Sequence, residues 1–552
     1  MLKSVVIVAI LFLVDGLKCR NSGELRPNIV VIMADDLGSH DISLRGSNQI
    51  MTPNIDALGY QGVILNRHYT SAMCSPTRGA FLTGKYPIKL GMQYFVIRPG
   101  EPRGLPLNEK ILPQYLKEAG YSTHIVGKWH QGICQKNMTP TYRGFDSHVG
   151  FLGPFIDYYN YTLWIESTGY ASGFDFRKNE DVYRNRVGEY ATDVIADEAS
   201  KIILEHDTSG GSLFLFVSQG APHAANANDP LQTVPEDLET VQHIRDPTRR
   251  SYAAMVKALD RSVGTVVRAL KRKGILDNTI ILFLSDNGGP TVGHHATTAS
   301  NLPLRGQKDS PWEGGVRGTA VVWTPNLHIR HYVSNDVVHI TDWLPTFAHA
   351  ARVTGYKWEQ LDGFNIWDTL QRGSKPLRRE VLHNIDPISG YTSYYRDGWK
   401  YVNGSTLNGI YDTWLGNRTF EDAPETPYYA KLVMHSEVWR ALHPFARKSL
   451  GAFEIDVLRR EASISCHSQI PSSRECNPLI SPCLFNLNAD PCEVSNLADG
   501  NQGLIESMRN SIKRYELSSV PPSNVPNDPN ADPAVNGGLW TWWLDNQATL
   551  KA

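Results

Sequence analysis

PNIVVIMADDLG, residues 27–38, holds six apolar residues in a row from Ile29 to Ala34 and then two acids, Asp35 and Asp36. A strand that alternates apolar and polar side chains has one wet face. A continuous apolar run has none, and belongs to a parallel sheet covered by helices on both sides. Three further runs have the same form. YSTHIVGKWH (121–130) ends in Lys128 and His130, SLFLFVSQGAPH (212–223) leads to His223, and NTIILFLSDNGG (278–289) ends in Asp286 and Asn287. Helical patterns fill the gaps between them. Tyr252, Met255, Leu259, Val263, Val266 and Leu270 recur at a spacing of three to four residues, up to Gly274. LPQYLKEAG (112–120) carries Pro113 near its start and Gly120 where a helix end takes a glycine. Strand and helix in alternation predict an α/β sandwich with a mostly parallel central sheet. Such folds bind ligands beyond the carboxyl ends of the strands, and each of these runs ends there in groups able to do chemistry.

The texture changes after about residue 385. SGYTSYYRDGWKYVNG (389–404) reads as antiparallel strands, and LFNLNADPCEVSNLADGNQGLIESMRNSIKRYE (484–516) as strand, turn and helix. We expect a signal peptide over 1–19, a catalytic α/β domain over 20–385, and a smaller C-terminal α+β domain with an antiparallel sheet over 386–552. Residues 515–540 should form an irregular tail, closed by the aromatic LWTWWL.

The chain has 552 residues, 41% apolar and 20% charged, with a formal net charge of −2. That balance offers no basic surface for nucleic acid. The apolar run after Lys3 is too short to span a bilayer and reads as a signal peptide cut near Gly16 to Cys19; no other segment predicts membrane insertion. Sequons at Asn137, Asn160, Asn403 and Asn417 fit export, Asn137 being the weakest because Pro140 follows it. Of seven cysteines, Cys19 leaves with the signal. Cys466, Cys476, Cys483 and Cys492 read as two local disulfides, Cys466–Cys476 and Cys483–Cys492, although four cysteines allow three pairings. Cys134 and Cys74 remain, and they can pair with each other.

Cys74 lies in AMCSPTRGAFLTGKYP (72–87). Pro76 suits the first helical position, which puts Cys74 at the mouth of a helix whose free N–H groups attract an anion. Asp35, Asp36, Asp286 and Asn287 offer only oxygen donors, a set for calcium or magnesium rather than zinc. Arg78, Lys128, Lys308, His130 and His223 surround this set with cationic and imidazole groups. The combination suits a tetrahedral oxyanion, phosphate or sulfate.

C-S-P-T-R followed by GAFLTGKYP resembles the first signature of the type I sulfatases, and GYSTHIVGKWH resembles the second. PNIVVIMADDLG, SDNGG, GQKDSPWEGGVR and DWLPTF are similar to the same family, in particular to its arylsulfatase B group. The resemblance is strong from about residue 27 to about 370. It implies an alkaline-phosphatase-like fold and conversion of Cys74 to formylglycine (3-oxoalanine) by the formylglycine-generating enzyme. One Ca2+, or Mg2+, would be held by Asp35, Asp36, position 74, Asp286 and Asn287. The hydrated aldehyde would attack sulfur while Asp286 takes its proton. Arg78, Lys128 and His130 would hold the diol, with His130 as the base that releases sulfate. His223 and Lys308 would bind the ester and protonate the leaving oxygen. A sulfated sugar or a small aryl or alkyl sulfate is the implied substrate, and the lysosome or the extracellular space the implied location. The rival readings are a phosphatase or phosphodiesterase of the same superfamily, and a catalytically inactive sulfatase-like glycoprotein.

Overall fold

The computed structural model describes residues 26–374, 376–416, 428–446, 448–466 and 476–545. The expected signal peptide and the sequon at Asn417 lie outside them. The four apolar runs are strands: β1 (Asn28–Ala34), β3 (Ser122–Lys128), β5 (Leu213–Ser218) and β6 (Thr279–Ser285). With β2 (Val63–Tyr69), β4 (Ser147–Phe151), β7 (Ala320–Trp323), β8 (Tyr332–His339) and two short edge strands they form one ten-stranded sheet, in the order β8-β2-β7-β6-β1-β5-β3-β4 and then the two short strands. β6, β1, β5, β3 and β4 are mutually parallel, and β7 runs against both β6 and β2.

β1 shows why its sequence does not alternate. Val30, Ile32 and Ala34 enter one core, beneath α4 (Ala191–Glu205) and α5 (Pro247–Lys273). Ile29, Val31 and Met33 enter the other, beneath α2 (Cys74–Thr83) and α3 (Leu112–Glu118). Both faces are dry, so both sets of side chains are apolar. α5 ends as its sequence predicts, with Gly274 in the left-handed conformation at φ 75. α2 starts earlier than expected. Cys74 is its first residue, after an extended Met73, and Pro76 stands third. Any residue of the first turn lacks an intrahelical acceptor for its N–H, so proline is tolerated there as well.

A second sheet, β9 (Glu380–Asp386), β10 (Tyr391–Arg396), β11 (Trp399–Asn403) and β12 (Cys483–Asn486), is antiparallel throughout. The helix Gln502–Glu516 covers it with Ile505, Met508 and Ile512. The chain then returns to the large sheet. Trp540 and Trp543 are buried in the same core as β1, and Trp540 Nε1 donates to Leu163 O at 2.9 Å. Tyr429–Met434, Glu437–Leu442 and Ala452–Ala462 are helices whose buried residues belong to the opposite core, with those of α1 (Pro53–Gln61) and α5.

The local disulfide pairing is overturned. Cys466 bonds Cys492 and Cys476 bonds Cys483. Cys483 opens β12, in register with Val402 of β11, while Cys492 lies beyond that strand in a separate cluster with Leu302, Trp414 and Val494. The strand between the two cysteines carries them to different neighbours. Cys74 and Cys134 are both free and buried, so they do not pair with each other. No helix among the described residues is long and apolar enough to cross a membrane.

Candidate active site

Every strand that ends in the site runs in the same direction, so its polar C-terminal residues gather at one edge of the sheet. Asp35 and Asp36 follow β1, Asp286 and Asn287 follow β6, Lys128 closes β3, and Cys74 opens the helix that follows β2. All six are buried. Asp36 and His130 hold left-handed backbone conformations, at φ 64 and 54, which cost side-chain-bearing residues free energy. The turns they make redirect the chain just past a strand end.

The acids are tied together and to the cations. Asp36 N–H donates to Asp286 Oδ1 at 3.1 Å, and Asn287 Nδ2 donates to Asp36 Oδ1 at 2.7 Å. Arg78 lies one helical turn after Cys74 and points the same way. Its Nε donates to Asp286 Oδ2 at 3.0 Å and its Nη1 to Ser218 Oγ at 2.5 Å. Lys128 Nζ stands 2.6 Å from Asp35 Oδ2, and Lys308 Nζ stands 2.6 Å from Asp36 Oδ2. His223 Nε2 is 3.4 Å from both Lys308 Nζ and Asp36 Oδ2. Its Nδ1–H donates to Ala224 O at 2.7 Å, which leaves Nε2 facing the site. His130 is arranged the other way round. Nε2–H donates to Ile97 O at 2.9 Å, and Nδ1 is buried without a hydrogen-bond partner among the described residues.

Burial disfavours most of the charged forms in the site. Burial and the neighbouring Asp35 push the Asp286 carboxyl up to about 6, even with Arg78 beside it. Burial pushes the His223 imidazole down to about 3 and the Cys74 thiol well above its ordinary range. Asp36 departs from this pattern: Lys308, His223 and Lys128 outweigh its desolvation and hold it below the usual carboxylate range.

A divalent cation fits the residues present. Ligand atoms of Asp35, Asp36, Cys74 and His223 lie within 4.8 Å of one another. Asp35 Oδ1 and Asn287 Oδ1 are buried oxygens with no hydrogen-bond partner among the described residues, and a hard cation would satisfy both. The Cys74 Sγ lies 3.7 Å from Asp36 Oδ1.

The Sulfatase family model matches residues 27–353, which include all of these groups. The chain belongs to the sulfatase family. Mouse arylsulfatase J is 37% identical over 534 residues, covering 96% of this chain and 82% of its own length. Human N-acetylgalactosamine-6-sulfatase is 29% identical over 430 residues, covering 70% of this chain and 76% of its own. Among solved structures, Ps i-CgsB in complex with k-i-k-neocarrahexaose superposes with a TM-score of 0.70 at 26% identity, over 95% of this chain and 99% of that one. As a sulfatase, the protein is a sulfuric ester hydrolase, and the family in general depends on formylglycine and a divalent metal.

All of the site residues expected from sequence converge on this edge. Several of their neighbours were not expected. Ser218 steadies Arg78, and the Ile97 carbonyl fixes the tautomer of His130. Phe155 stacks on His223 at 5.4 Å between ring centroids, and His295 lies 5.2 Å from the same ring. The pair of histidines in TVGHHATTAS is a local signal that could have pointed to His295. Of the sequons, Asn137 and Asn160 are exposed and Asn403 is half-buried at the end of β11.

Proposed function

We propose that the protein is a formylglycine-dependent sulfatase that cleaves a sulfated sugar or a small aryl or alkyl sulfate, carries one Ca2+ (or Mg2+), and is exported to the lysosome or the extracellular space. One observation carries the reading. Cys74 is buried and unpaired at the first position of its helix, with Arg78 one turn on and locked against Asp286. Position 74, once converted, would supply a hydrated aldehyde as oxygen nucleophile, and a cation held by Asp35, Asp36, Asp286 and Asn287 would supply Lewis-acid charge.

The other residues bind, orient and move protons. Arg78 and Lys128 present positive charge to the nucleophile and the sulfate oxygens. Asp286, already an acceptor from Asp36 N and Arg78, takes the proton of the attacking hydroxyl. His130 takes a proton at Nδ1, the nitrogen left free by its bond to Ile97. Lys308 holds protons on Nζ beside His223 Nε2, and delivers one to the departing oxygen.

The test uses protein made in cells that contain the converting enzyme. We expect inorganic sulfate to be released from 4-nitrophenyl sulfate and the peptide bearing residue 74 to show the mass loss of CH2SH becoming CHO. Elemental analysis should find one calcium or magnesium per chain. Full activity with an unmodified Cys74 would overturn the mechanism, and preference for 4-nitrophenyl phosphate with two metals per chain would favour the phosphatase reading.

A further inference from the structure

Hydrogen bonding holds His223 firmly at one corner only. Nδ1–H meets the carbonyl of the next residue, Ala224, at 2.7 Å, whereas Nε2 stands 3.4 Å from both Lys308 Nζ and Asp36 Oδ2, at the long limit of a hydrogen bond. A ring pinned at one nitrogen can rock about that bond, and packing is what limits it here. Phe155 lies almost parallel to the imidazole, with 15° between the planes and 5.4 Å between centroids. His295 approaches the same ring at 49° and 5.2 Å, and meets Phe155 at 64° and 4.8 Å. The three rings close a triangle in which none can tilt without displacing another. Among the described residues no hydrogen bond joins His295 to His223, so their contact is one of ring surfaces.

Each ring comes from the segment that follows a different parallel strand: Phe155 after β4, His223 after β5 and His295 after β6. Phe155 and His223 are buried, and His295 is half-buried. The backbone of His295 is left-handed, at φ 54, which costs a residue with a side chain free energy. The loop that imposes this is tied at several points. Ala296 N–H donates to Gly293 O at 3.2 Å, and Thr297 N–H to Pro290 O at 2.9 Å. Gln307 Oε1 accepts from the Thr291 and Val292 N–H groups at 2.9 and 3.0 Å, and its Nε2 donates to Val292 O at 2.8 Å. Gln307 directly precedes Lys308. One side chain thus locks the loop of His295 to the segment that presents the ammonium facing His223.

Resting on the sulfatase reading, we infer that His295, with Phe155, is a positioning residue for the reaction. The two rings set the plane of His223, and through its Nε2 the direction in which Lys308 presents its proton to the departing oxygen.

The test measures kcat and KM for 4-nitrophenyl sulfate and for phenyl sulfate, whose phenolate leaves less readily. His295→Asn tolerates the left-handed backbone and removes the ring. It should lose roughly 10- to 100-fold on phenyl sulfate, the scale of a small misplacement near the reacting atoms, mainly in kcat, and less on 4-nitrophenyl sulfate. In a His223→Ala background the same substitution should change kcat/KM for phenyl sulfate by less than about 2-fold, because a residue that acts through His223 has nothing left to position. Phe155→Leu leaves the backbone of His295 untouched and should repeat the pattern. No loss, equal losses on the two esters, or a loss as large without His223 as with it would overturn the positioning role while leaving the sulfatase reading intact. A wild type that releases sulfate from neither ester would overturn both.

Discussion

Lys308 and His223 meet the same carboxylate but are equipped differently for proton delivery. His223 spends Nδ1–H on the Ala224 carbonyl, so its Nε2 faces Lys308 as an acceptor, whereas Lys308 brings an ammonium held 2.6 Å from Asp36. A nitrophenolate leaves with little help, and a sugar alkoxide must gain its proton in the transition state. General acid assistance is typically worth about 10²- to 10⁴-fold. Lys308→Ala should therefore lose more kcat/KM on N-acetylgalactosamine 4-sulfate than on 4-nitrophenyl sulfate, with the gap approaching that range. Equal losses would leave Lys308 as a sulfate-binding group, because the sulfate is common to both esters.

The elements that frame the site are held by buried polar contacts whose sequence signals are weak. Asp260, in the middle of α5, accepts from the Asn54 and Ile55 N–H groups at 2.9 Å each and so caps the start of α1 from another helix. Burial pushes its carboxyl up to about 7; Lys257 opposes the shift and Asp56 adds to it. The folded-state value is thus above the unfolded one, near 3.8. The folded chain keeps this proton where the unfolded chain has lost it. The contribution to stability is full below about pH 4 and is lost as pH rises towards 7. Asp260→Asn keeps an acceptor oxygen and removes the titration. Denaturant melts at a series of pH values should show wild-type stability, relative to the variant, falling by on the order of 3 kcal/mol between pH 4 and pH 7. A difference independent of pH would refute the assignment.

At the scale of the molecule, buried contacts tie the two sheets together. Lys400 of β11 pairs with Glu313 at 3.0 Å and Glu493 at 2.8 Å; all three are buried, and Glu313 lies just downstream in sequence of Lys308. The chain end then crosses back to bury Trp540 and Trp543 in the core beneath α2. Arg177 Nη2 donates to Trp540 O at 2.8 Å, so the crossing is fixed by hydrogen bonds as well as by packing. Trp540→Ala should cost about 3–5 kcal/mol, the usual range for removing a fully buried tryptophan, read as a lowered urea midpoint with an unchanged slope. A chain truncated after Ser518 should lose more and should not accumulate as soluble protein. Wild-type stability in either variant would mean that the tail merely rests on the surface.

Much of the site could be read from the sequence because its parts are local. Asp35 and Asp36 follow one apolar run, Asp286 and Asn287 another, and Cys74 and Arg78 lie one turn apart on a single helix. Parallel strands share a direction, so the rule that polar strand ends gather at one edge brings these pieces together without long-range information. The apolar runs likewise determined the two-faced sheet, since Ile29 to Ala34 leave no residue for water. The cysteine partners were decided elsewhere. Spacing favoured neighbours in sequence, but the strand from Cys483 to Asn486 separates them, and only the packed chain sets which sulfurs meet. The same holds for the tautomer of His130, set by the carbonyl of Ile97, and for Asp260 at the start of a helix some two hundred residues away. Each of these depends on backbone groups or on contacts between distant segments. A sequence pattern encodes which faces are buried; which buried groups then touch depends on how the covered layers pack.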